Sequence, residues 1–214
     1  MIEESPFDKG KSLIIIENNK RMRFLSDDEI TKLLDACPPF LHRIVSCALH
    51  AGMRKGEILG LKWEQVRNGF IYLDKAKTNE ARQIPINDEL KGVFKQIRKH
   101  QHLTSKHVFT YQDKAINDVK GSFNAAIKRA GIVDFKFRDL RHTFASQLVM
   151  KVGTLKDVQE LLGHTTMTMT LRYAHLSQKH KKKAVNLLNG LTASKNDLCH
   201  KTVTIPYQEN YARQ

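Results

Sequence analysis

The chain has 214 residues, of which 41% are hydrophobic, which is enough for one sizeable core and too little for two full ones. It carries 36 lysines and arginines against 22 acidic residues, a formal net charge of +14. Such an excess is typical of a protein with a polyanionic partner, although a basic surface without one also fits the charge alone. No apolar run approaches the roughly 20 residues of a membrane span, so we expect no membrane partner.

The N-terminus and the cysteines predict a cytoplasmic protein. The first residues, MIEESPFDKG, are polar and acidic, which argues against a secretory signal. Cys37, Cys47 and Cys199 are odd in number and lack the spacing of a metal site. We therefore expect reduced thiols, with no disulfide framework and no zinc site.

Cap residues and apolar spacing predict a mainly helical chain. Ser26 with Glu29 forms a capping-box pattern, Thr154 resembles a second cap, and Gly52 and Gly163 are placed to end helices. The predicted helices are residues 26–36, 40–51, 54–61, 87–100, 116–130, 138–151, 155–162, 167–174 and 178–188.

A small antiparallel β-sheet completes the predicted fold class, α+β. Segments 70–73 and 83–86 flank a polar stretch and form a hairpin signal, and 108–109 is a brief extended piece. We expect residues 1–22 to be an interdomain linker or edge strand. Residues 23–189 then form the domain, and the polar residues 190–214 a flexible tail.

Two arginine-bearing segments lie far apart in the chain. Arg138 and Arg141 are three residues apart, so they share a face at the start of a predicted helix, where backbone N–H groups also attract anions. Arg54 follows a helix-ending glycine, and its planar fork of donors suits the non-bridging oxygens of a phosphodiester. Glu57, on the same face as Arg54, can orient a neighbouring cation. Taken alone, the two arginines of the RxxR pattern fit a solvated basic turn better, and Arg54 with Glu57 fits an ordinary ion pair equally well.

Three further side chains can serve phosphoryl chemistry. His164 directly follows a predicted helix end, where it can hydrogen-bond a phosphate oxygen. Tyr173 lies nine residues later; its phenol, with an ordinary pKa near 10, must be positioned and relieved of its proton before it can attack. Lys77 sits at the hairpin tip, where a mobile ammonium can protonate a leaving oxygen, with Lys75 as the local competitor. Capping, core packing and edge protection are the structural alternatives.

Taken together, these segments resemble the catalytic domain of the tyrosine recombinases, or phage integrase family. Five motifs occur in the family's order over residues 23–188: AGMRKGEILGLKW, KTNEARQIPI, RDLRHTFAS, LLGH and TMTLRYAH. The resemblance implies the integrase catalytic-domain fold and a site-specific recombinase that cleaves and rejoins double-stranded DNA. Its nucleophile would be Tyr173, forming a 3′-phosphotyrosyl ester. Arg54, Arg141 and His164 would neutralise charge, Lys77 would protonate the leaving 5′ oxygen, and neither a metal nor a cofactor is implied.

The chain departs from the family pattern in two respects. The first position of the HxxR motif, usually histidine, is Arg138, which cannot act as a base. It can still donate to the phosphate or lower the pKa of the tyrosine by its charge, so we expect altered proton handling; no role is assigned to His142. The family's N-terminal DNA-clamping domain has no counterpart here, which predicts weak, salt-sensitive DNA binding by a fragment or a short relative.

Other readings stay open. We expect self-association on DNA, with the basic segment 178–188 docking on a neighbouring protomer or touching the DNA backbone. A type IB topoisomerase would use the same chemistry without pairing sites. A catalytically impaired DNA-binding relative, or a helix-turn-helix regulator, would share the charge and the helices and would fit the unusual Arg138.

Overall fold

A computed structural model describes most of the chain. The described residues are 22–74, 81–101, 105–112, 114–151, 154–177, 185–186 and 188–189. The chain divides into two compact units, residues 1–177 and 178–214. The predicted linker, the C-terminal tail and most of the predicted helix 178–188 lie outside the described residues, so those predictions and the domain bounds stay predictions.

Eight α-helices lie within the described parts of the chain. They are α1 (Asp27–Asp35), α2 (Pro39–Ala51), α3 (Lys55–Leu59), α4 (Asp88–His100), α5 (Lys120–Arg129), α6 (Asp139–Lys151), α7 (Leu155–Leu162) and α8 (Met167–Leu171), with 3₁₀ turns at Trp63–Gln65 and Ala174–Ser177. None of these described helices is both long and apolar enough to cross a bilayer.

Local signals set the helix ends as predicted. The Ser26 hydroxyl accepts the Glu29 N–H at 3.3 Å, and the Glu29 carboxylate accepts the Ser26 N–H at 3.0 Å, so the capping box forms. Gly52 ends α2 and Gly163 ends α7, both in the left-handed conformation with φ of 60° and 64°. Glycine reaches this region without the steric penalty of a β-carbon, which makes both residues effective helix stops.

The predicted hairpin belongs to a three-stranded antiparallel sheet. Its strands are β1 (Val66–Arg67), β2 (Phe70–Leu73) and β3 (Arg82–Pro85), paired in chain order. The sequence reading missed β1, although the two residues between β1 and β2, Asn68 and Gly69, both have positive φ, at 51° and 77°. Asn-Gly is the preferred pair for this two-residue hairpin turn, so the signal was present in the sequence.

Two predicted elements are wrong in their limits. The extended piece expected at 108–109 occurs two residues later, as β4 (Thr110–Tyr111), which pairs with β5 (Lys114–Ala115) in a second small sheet. The helix expected from residue 116 begins at Lys120. The Asp118 carboxylate accepts the backbone N–H groups of Val119 and Lys120 and pairs with Lys55 at 2.7 Å, so the chain ahead of α5 is held outside the helix.

The main core is built around α2, whose apolar residues recur at helical spacing. Leu41, Ile44, Val45 and Ala48 are fully buried and join the larger hydrophobic cluster, which also takes residues from the sheet and from α1, α4 and α5. A smaller cluster lies between α6 and α7 and includes Tyr173. The helix-rich fold with small antiparallel sheets is the fold class predicted from the sequence.

Candidate active site

A cleft of about 600 Å³ opens where α3, the start of α6, the end of α7 and the turn after α8 come together. Five of the six predicted site residues line it: Arg54, Arg138, Arg141, His164 and Tyr173. The sixth, Lys77, lies outside the described residues. Folding thus brings side chains from four of the five sequence motifs to one concave surface.

Arg141 lies in the first turn of α6 and is held by main-chain oxygens. Its guanidinium donates to the carbonyl of Gly52 at 2.8 Å and to the carbonyl of Leu162. These carbonyls belong to the ends of α2 and α7, where no intrahelical donor is available to them. Burial, with the charges of Arg54 and Arg82, lowers the pKa of Arg141 to about 10, so it remains a cation at neutral pH. Its orientation is therefore fixed before any ligand arrives.

Arg54 stands at the N-cap position of α3 and lines the same cleft. Its backbone N–H donates to Glu57 at 2.8 Å, and its guanidinium lies 3.5 Å from the same carboxylate. Burial lowers the pKa of Arg54, the charge of Glu57 raises it, and the charge of Arg82 lowers it. Because the charges of Arg54 and Arg141 also repel each other, the cleft favours an anion between them.

Behind these arginines lies an ion pair that the sequence reading did not identify. Arg82 of β3 is 4% exposed and donates to both carboxylate oxygens of Glu57, at 2.6 and 3.1 Å. It also donates to the carbonyl of Leu161 at 3.0 Å. The cation that Glu57 orients is thus chiefly Arg82. We call Glu57, Arg82 and Arg141 the arginine frame, because together they connect α3, β3, α6 and α7.

Burial would raise the pKa of Glu57, but this carboxyl is nevertheless more acidic than usual. The hydrogen bonds from Arg82 and the Arg54 N–H, with the charges of Arg82 and Arg141, lower its pKa below the ordinary value. Gly163 packs directly on the frame, since a β-carbon there would lie 2.9 Å from Cδ of Arg82. The arginine frame therefore depends on an ionised Glu57, and the position packed against Arg82 must be a glycine.

His164 follows Gly163 and faces the same cleft. Its Nδ1 lies 2.9 Å from the hydroxyl of Thr170, and its backbone N–H donates to the carbonyl of Gln159 at 3.0 Å. Burial, followed by the charges of Arg141 and Arg54, lowers its pKa to about 4. The imidazole is therefore neutral at pH 7. In the tautomer whose Nδ1 accepts from the Thr170 hydroxyl, Nε2 carries the proton and can donate it to a phosphate oxygen.

Tyr173 was predicted inside a helix, but α8 ends at Leu171 and the tyrosine occupies the turn before the last 3₁₀ segment. It is 1% exposed, packs in the small core cluster, and has its hydroxyl 2.7 Å from Nδ1 of His142. Burial raises the pKa of Tyr173, and the charges of Arg172 and Arg141 partly oppose this. The pKa effect predicted for Arg138 thus comes from other arginines.

Two cleft residues went unrecognised in the sequence, His142 and Arg172. His142 directly follows Arg141 in the motif, but nothing local indicates its contact with a tyrosine 31 positions away. Arg172 is exposed and precedes the tyrosine, which was a usable signal. Arg138 also lines the cleft; its side chain is 66% exposed and lies 3.8 Å from Asp139.

A second cavity of about 690 Å³ borders the ends of β2 and β3, the strands before and after the segment that contains Lys77. Asp74 and Ala81, the described residues nearest to that segment, line this cavity together with Arg82 and His164. His164 therefore belongs to both cavities. Within the described ranges, His, Cys, Asp and Glu side chains form no group of three or more that could hold a metal ion.

Comparison with known proteins agrees with this geometry. Residues 23–180 match the phage integrase family. The integrase of Salmonella phage P22 is 34% identical over 180 residues, which cover 76% of this chain and 46% of that protein. The solved catalytic domain of bacteriophage HP1 integrase is 31% identical with a TM-score of 0.63, and the match covers 82% of this chain and 100% of that one.

A lambda integrase dimer bound to a COC′ core site is a further structural match, with 25% identity and a TM-score of 0.59 over 69% of this chain and 59% of that one. The chain spans about half the length of the curated relatives it matches. The motif order, the fold and the family match agree with one another. The chain therefore belongs to the phage integrase family, the tyrosine recombinases.

Proposed function

We propose that this chain is the catalytic part of a site-specific DNA recombinase that cleaves and rejoins strands through a 3′-phosphotyrosyl intermediate. The observation that carries the proposal is the shared cleft, which is lined by Tyr173 together with Arg54 and Arg141. A buried phenol and two cations on one concave surface suit attack on a single backbone phosphate.

Phosphate binding falls to the arginines and His164. Arg54 and Arg141 donate to the two non-bridging oxygens, and the neutral imidazole of His164 adds a donor through Nε2. Because Arg141 is already held by two carbonyls, little reorganisation is needed when charge develops on the phosphorus. Donors placed in this way typically contribute a factor of about 10²–10³ each to the rate. Arg138, at the same cleft, supplies a further donor to the phosphate.

The chemical step is a balanced exchange of esters. The Tyr173 oxygen bonds to phosphorus, the bond from phosphorus to the 5′ oxygen breaks, and that oxygen leaves as a hydroxyl. Lys77 is the proposed acid for the leaving oxygen, with Lys75 as its competitor. The covalent ester keeps the energy of the broken bond, so rejoining to a new 5′ hydroxyl needs neither ATP nor a cofactor.

The proposed partners are double-stranded DNA and further copies of the same chain. The net charge of +14 provides long-range attraction to the DNA backbone. The matched lambda integrase is a dimer on its core site, which supports self-association on DNA here. An enzyme acting on DNA in this way would work in the cytoplasm.

The test is capture of the covalent intermediate on a nicked suicide duplex that carries the attachment site of the element encoding this chain. Wild-type protein should form a denaturant-resistant adduct, and Tyr173→Phe should form none. Tyr111→Phe is the matched control, since Tyr111 is 53% exposed and does not line the cleft. It should form the adduct at the wild-type rate.

Other results would favour the alternatives. Binding of the duplex without an adduct, by wild type and Tyr173→Phe alike, would indicate a catalytically impaired DNA-binding relative. Tyr173-dependent relaxation of supercoiled plasmid that lacks the attachment site would indicate a topoisomerase-like enzyme.

A further inference from the structure

Among the described residues, the Tyr173 hydroxyl makes a hydrogen bond to a histidine that the sequence motifs left without a role. His142 Nδ1 and the tyrosine oxygen are 2.7 Å apart, which is a full hydrogen bond. The oxygen is the atom that must lose its proton as it attacks, so whichever group touches it governs that proton.

Both partners are held in place by their surroundings. His142 lies in α6 next to Thr143, which is fully buried, donates to the carbonyl of Asp139 at 2.9 Å and accepts the N–H of Leu25 at 3.1 Å. The backbone N–H of Tyr173 donates to the carbonyl of Thr170 at 3.0 Å. Its ring packs against the small core cluster, Ala145, Val149, Val158 and Leu162. The contact is therefore a property of the packed fold.

The other groups at the cleft are poor acceptors for this proton. Among the described residues that line it there is no carboxylate. The arginines and lysines are already protonated, so they cannot accept a further proton. His164 is the second imidazole, but its Nδ1 is engaged with Thr170. The family's usual histidine position holds Arg138 in this chain. His142 is thus the one neutral base in the described part of the cleft that touches the nucleophile.

We propose that His142 accepts the hydroxyl proton of Tyr173 as the tyrosine attacks DNA, in place of the histidine that Arg138 replaces. This role rests on the proposed function. The proton moves from the phenol to Nδ1 as the oxygen–phosphorus bond forms, while a separate acid supplies the proton for the departing 5′ oxygen. On rejoining, Nδ1 returns its proton to the phenol.

The protonation states of the free protein suit this role. Burial lowers the pKa of His142; the charge of Asp139 raises it, and those of Arg172, Arg141 and Arg138 lower it further. Burial also raises the pKa of Tyr173. At neutral pH the pair is then a neutral imidazole and an intact phenol, with the hydroxyl donating to Nδ1.

The surrounding cations also couple the transfer to DNA. The charged groups around His142 are Arg138, Asp139 and Arg141 on or beside its own helix and Arg172 from the turn after α8, with the second imidazole, His164, across the cleft. In the protein without DNA this cationic set opposes formation of an imidazolium. A phosphate between Arg54 and Arg141 supplies negative charge that offsets the set, so His142 becomes an effective base only when DNA is bound.

The first experiment needs no DNA. Nitrogen-15 multiple-bond NMR of the free chain at pH 7 reports which ring nitrogen of His142 is protonated. We expect an unprotonated Nδ1 and a protonated Nε2. The signals of this ring should be absent from the spectrum of His142→Asn, which identifies them as those of His142. A protonated Nδ1 would mean that the imidazole donates to the phenol oxygen, which overturns the proposal.

The second experiment separates proton transfer from positioning. In His142→Asn the side-chain oxygen can still accept the hydroxyl hydrogen bond but cannot take the proton. We expect single-turnover adduct formation on the nicked duplex to fall by about 10²–10⁴-fold in both His142→Ala and His142→Asn. In both variants the rate should lose the part of the wild-type pH dependence that comes from deprotonation of His142. His175→Ala, at an exposed histidine outside the cleft, is the matched control.

The outcomes distinguish this inference from the function beneath it. If wild type forms the adduct and His142→Asn forms it equally fast with the same pH profile, His142 only positions the tyrosine and the inference fails alone. If wild type forms no adduct whereas Tyr173→Phe still binds DNA, the proposed function is wrong. The proton-transfer role of His142 is then wrong as well, because it rests on that function.

Discussion

The two sides of the cleft are held in place in different ways. On the arginine side, Arg82 and Arg141 bind backbone carbonyls at helix ends, and Arg82 is paired with a half-buried carboxylate. On the tyrosine side, a short helix and a turn present Tyr173, whose hydroxyl contacts His142 among the described side chains. The proposed phosphate-binding groups are thus built into the fold, whereas the proposed nucleophile is held, within the described residues, by a small cluster and a hydrogen bond to His142.

This difference separates the effects of mutations. Changes in the arginine frame should lower stability and activity together, because the frame connects four secondary-structure elements. Conservative changes at the tyrosine hydroxyl or His142 should lower activity with little effect on folding, because a single hydrogen bond contributes only about 1 kcal/mol. Four predictions test this difference, in order from the largest expected effect to the smallest.

Loss of the buried ion pair should have the largest effect. Arg82→Met leaves the Glu57 carboxylate without its main partner, and breaking a buried pair typically lowers the free energy of unfolding by about 3–5 kcal/mol. Chemical denaturation measures this. Lys55→Met is the matched control: it breaks a pair of similar length, 2.7 Å, whose side chains are 43% and 54% exposed. Because this pair is exposed to solvent, its loss should leave stability close to that of the wild type.

A double variant tests whether the pair itself is responsible. Arg82→Met combined with Glu57→Gln removes the uncompensated charge, so the combined loss should be smaller than the sum of the single losses. Strict additivity would mean that Arg82 acts through its carbonyl contact and packing, with Glu57 contributing independently.

The next largest effect is expected at the glycine that ends α2. A β-carbon on Gly52 would lie 2.3 Å from Cδ1 of Phe144, and the residue has a φ of 60°. Gly52→Ala should lower the free energy of unfolding by about 1–3 kcal/mol through overpacking, and by about 1–2 kcal/mol more through the left-handed conformation. Adduct formation should fall as well, because the Gly52 carbonyl anchors Arg141.

Gly121→Ala provides the opposite control within the same chain. Gly121 is the second residue of α5, and a β-carbon there would meet nothing within 4 Å. Alanine should leave the free energy of unfolding unchanged or raise it by at most about 1 kcal/mol. Equal losses at positions 52 and 121 would show that close contact at the cleft wall is not what Gly52 provides.

The local parts of this architecture were predictable from the sequence, and the contacts between them were not. Capping residues and helix-ending glycines act within a few positions, so α1, α2 and α7 could be placed from the sequence alone. The family motifs indicated six site residues, and five of these line one cleft in the folded chain.

The Glu57–Arg82 pair and the His142–Tyr173 contact join residues 25 and 31 positions apart. No local pattern specifies which side chains meet once helices pack, because that choice depends on tertiary geometry. The missed strand β1 is a different case, since the Asn68–Gly69 turn was readable from the sequence. The contacts that could not be predicted from the sequence are therefore mainly those between residues far apart in the chain.

A smaller effect concerns the pH dependence of stability. The pKa of His164 is about 4 in the folded chain, below its ordinary value of 6.5, so between these values the unfolded chain binds more protons. Stability should therefore fall as the pH drops from about 6.5 towards 4. Thermal unfolding should show a shallower fall in His164→Asn. His175→Asn, at an exposed position, should keep the wild-type slope; equal slopes in all three would contradict the lowered pKa.

The smallest effect is expected at Arg138, where the family's usual residue can be restored. Arg138→His removes an exposed guanidinium and adds a base, but the proposed acceptor of the tyrosine proton, His142, already contacts the hydroxyl. Adduct formation should stay at the wild-type rate or rise by at most about tenfold. Arg138→Gln, which removes the charge without adding a base, should be slower than wild type. If Arg138→His is also slower, Arg138 serves as a phosphate ligand that histidine cannot replace. If Arg138→His in a His142→Asn background recovers the lost rate, the two positions are alternative sites for the same proton.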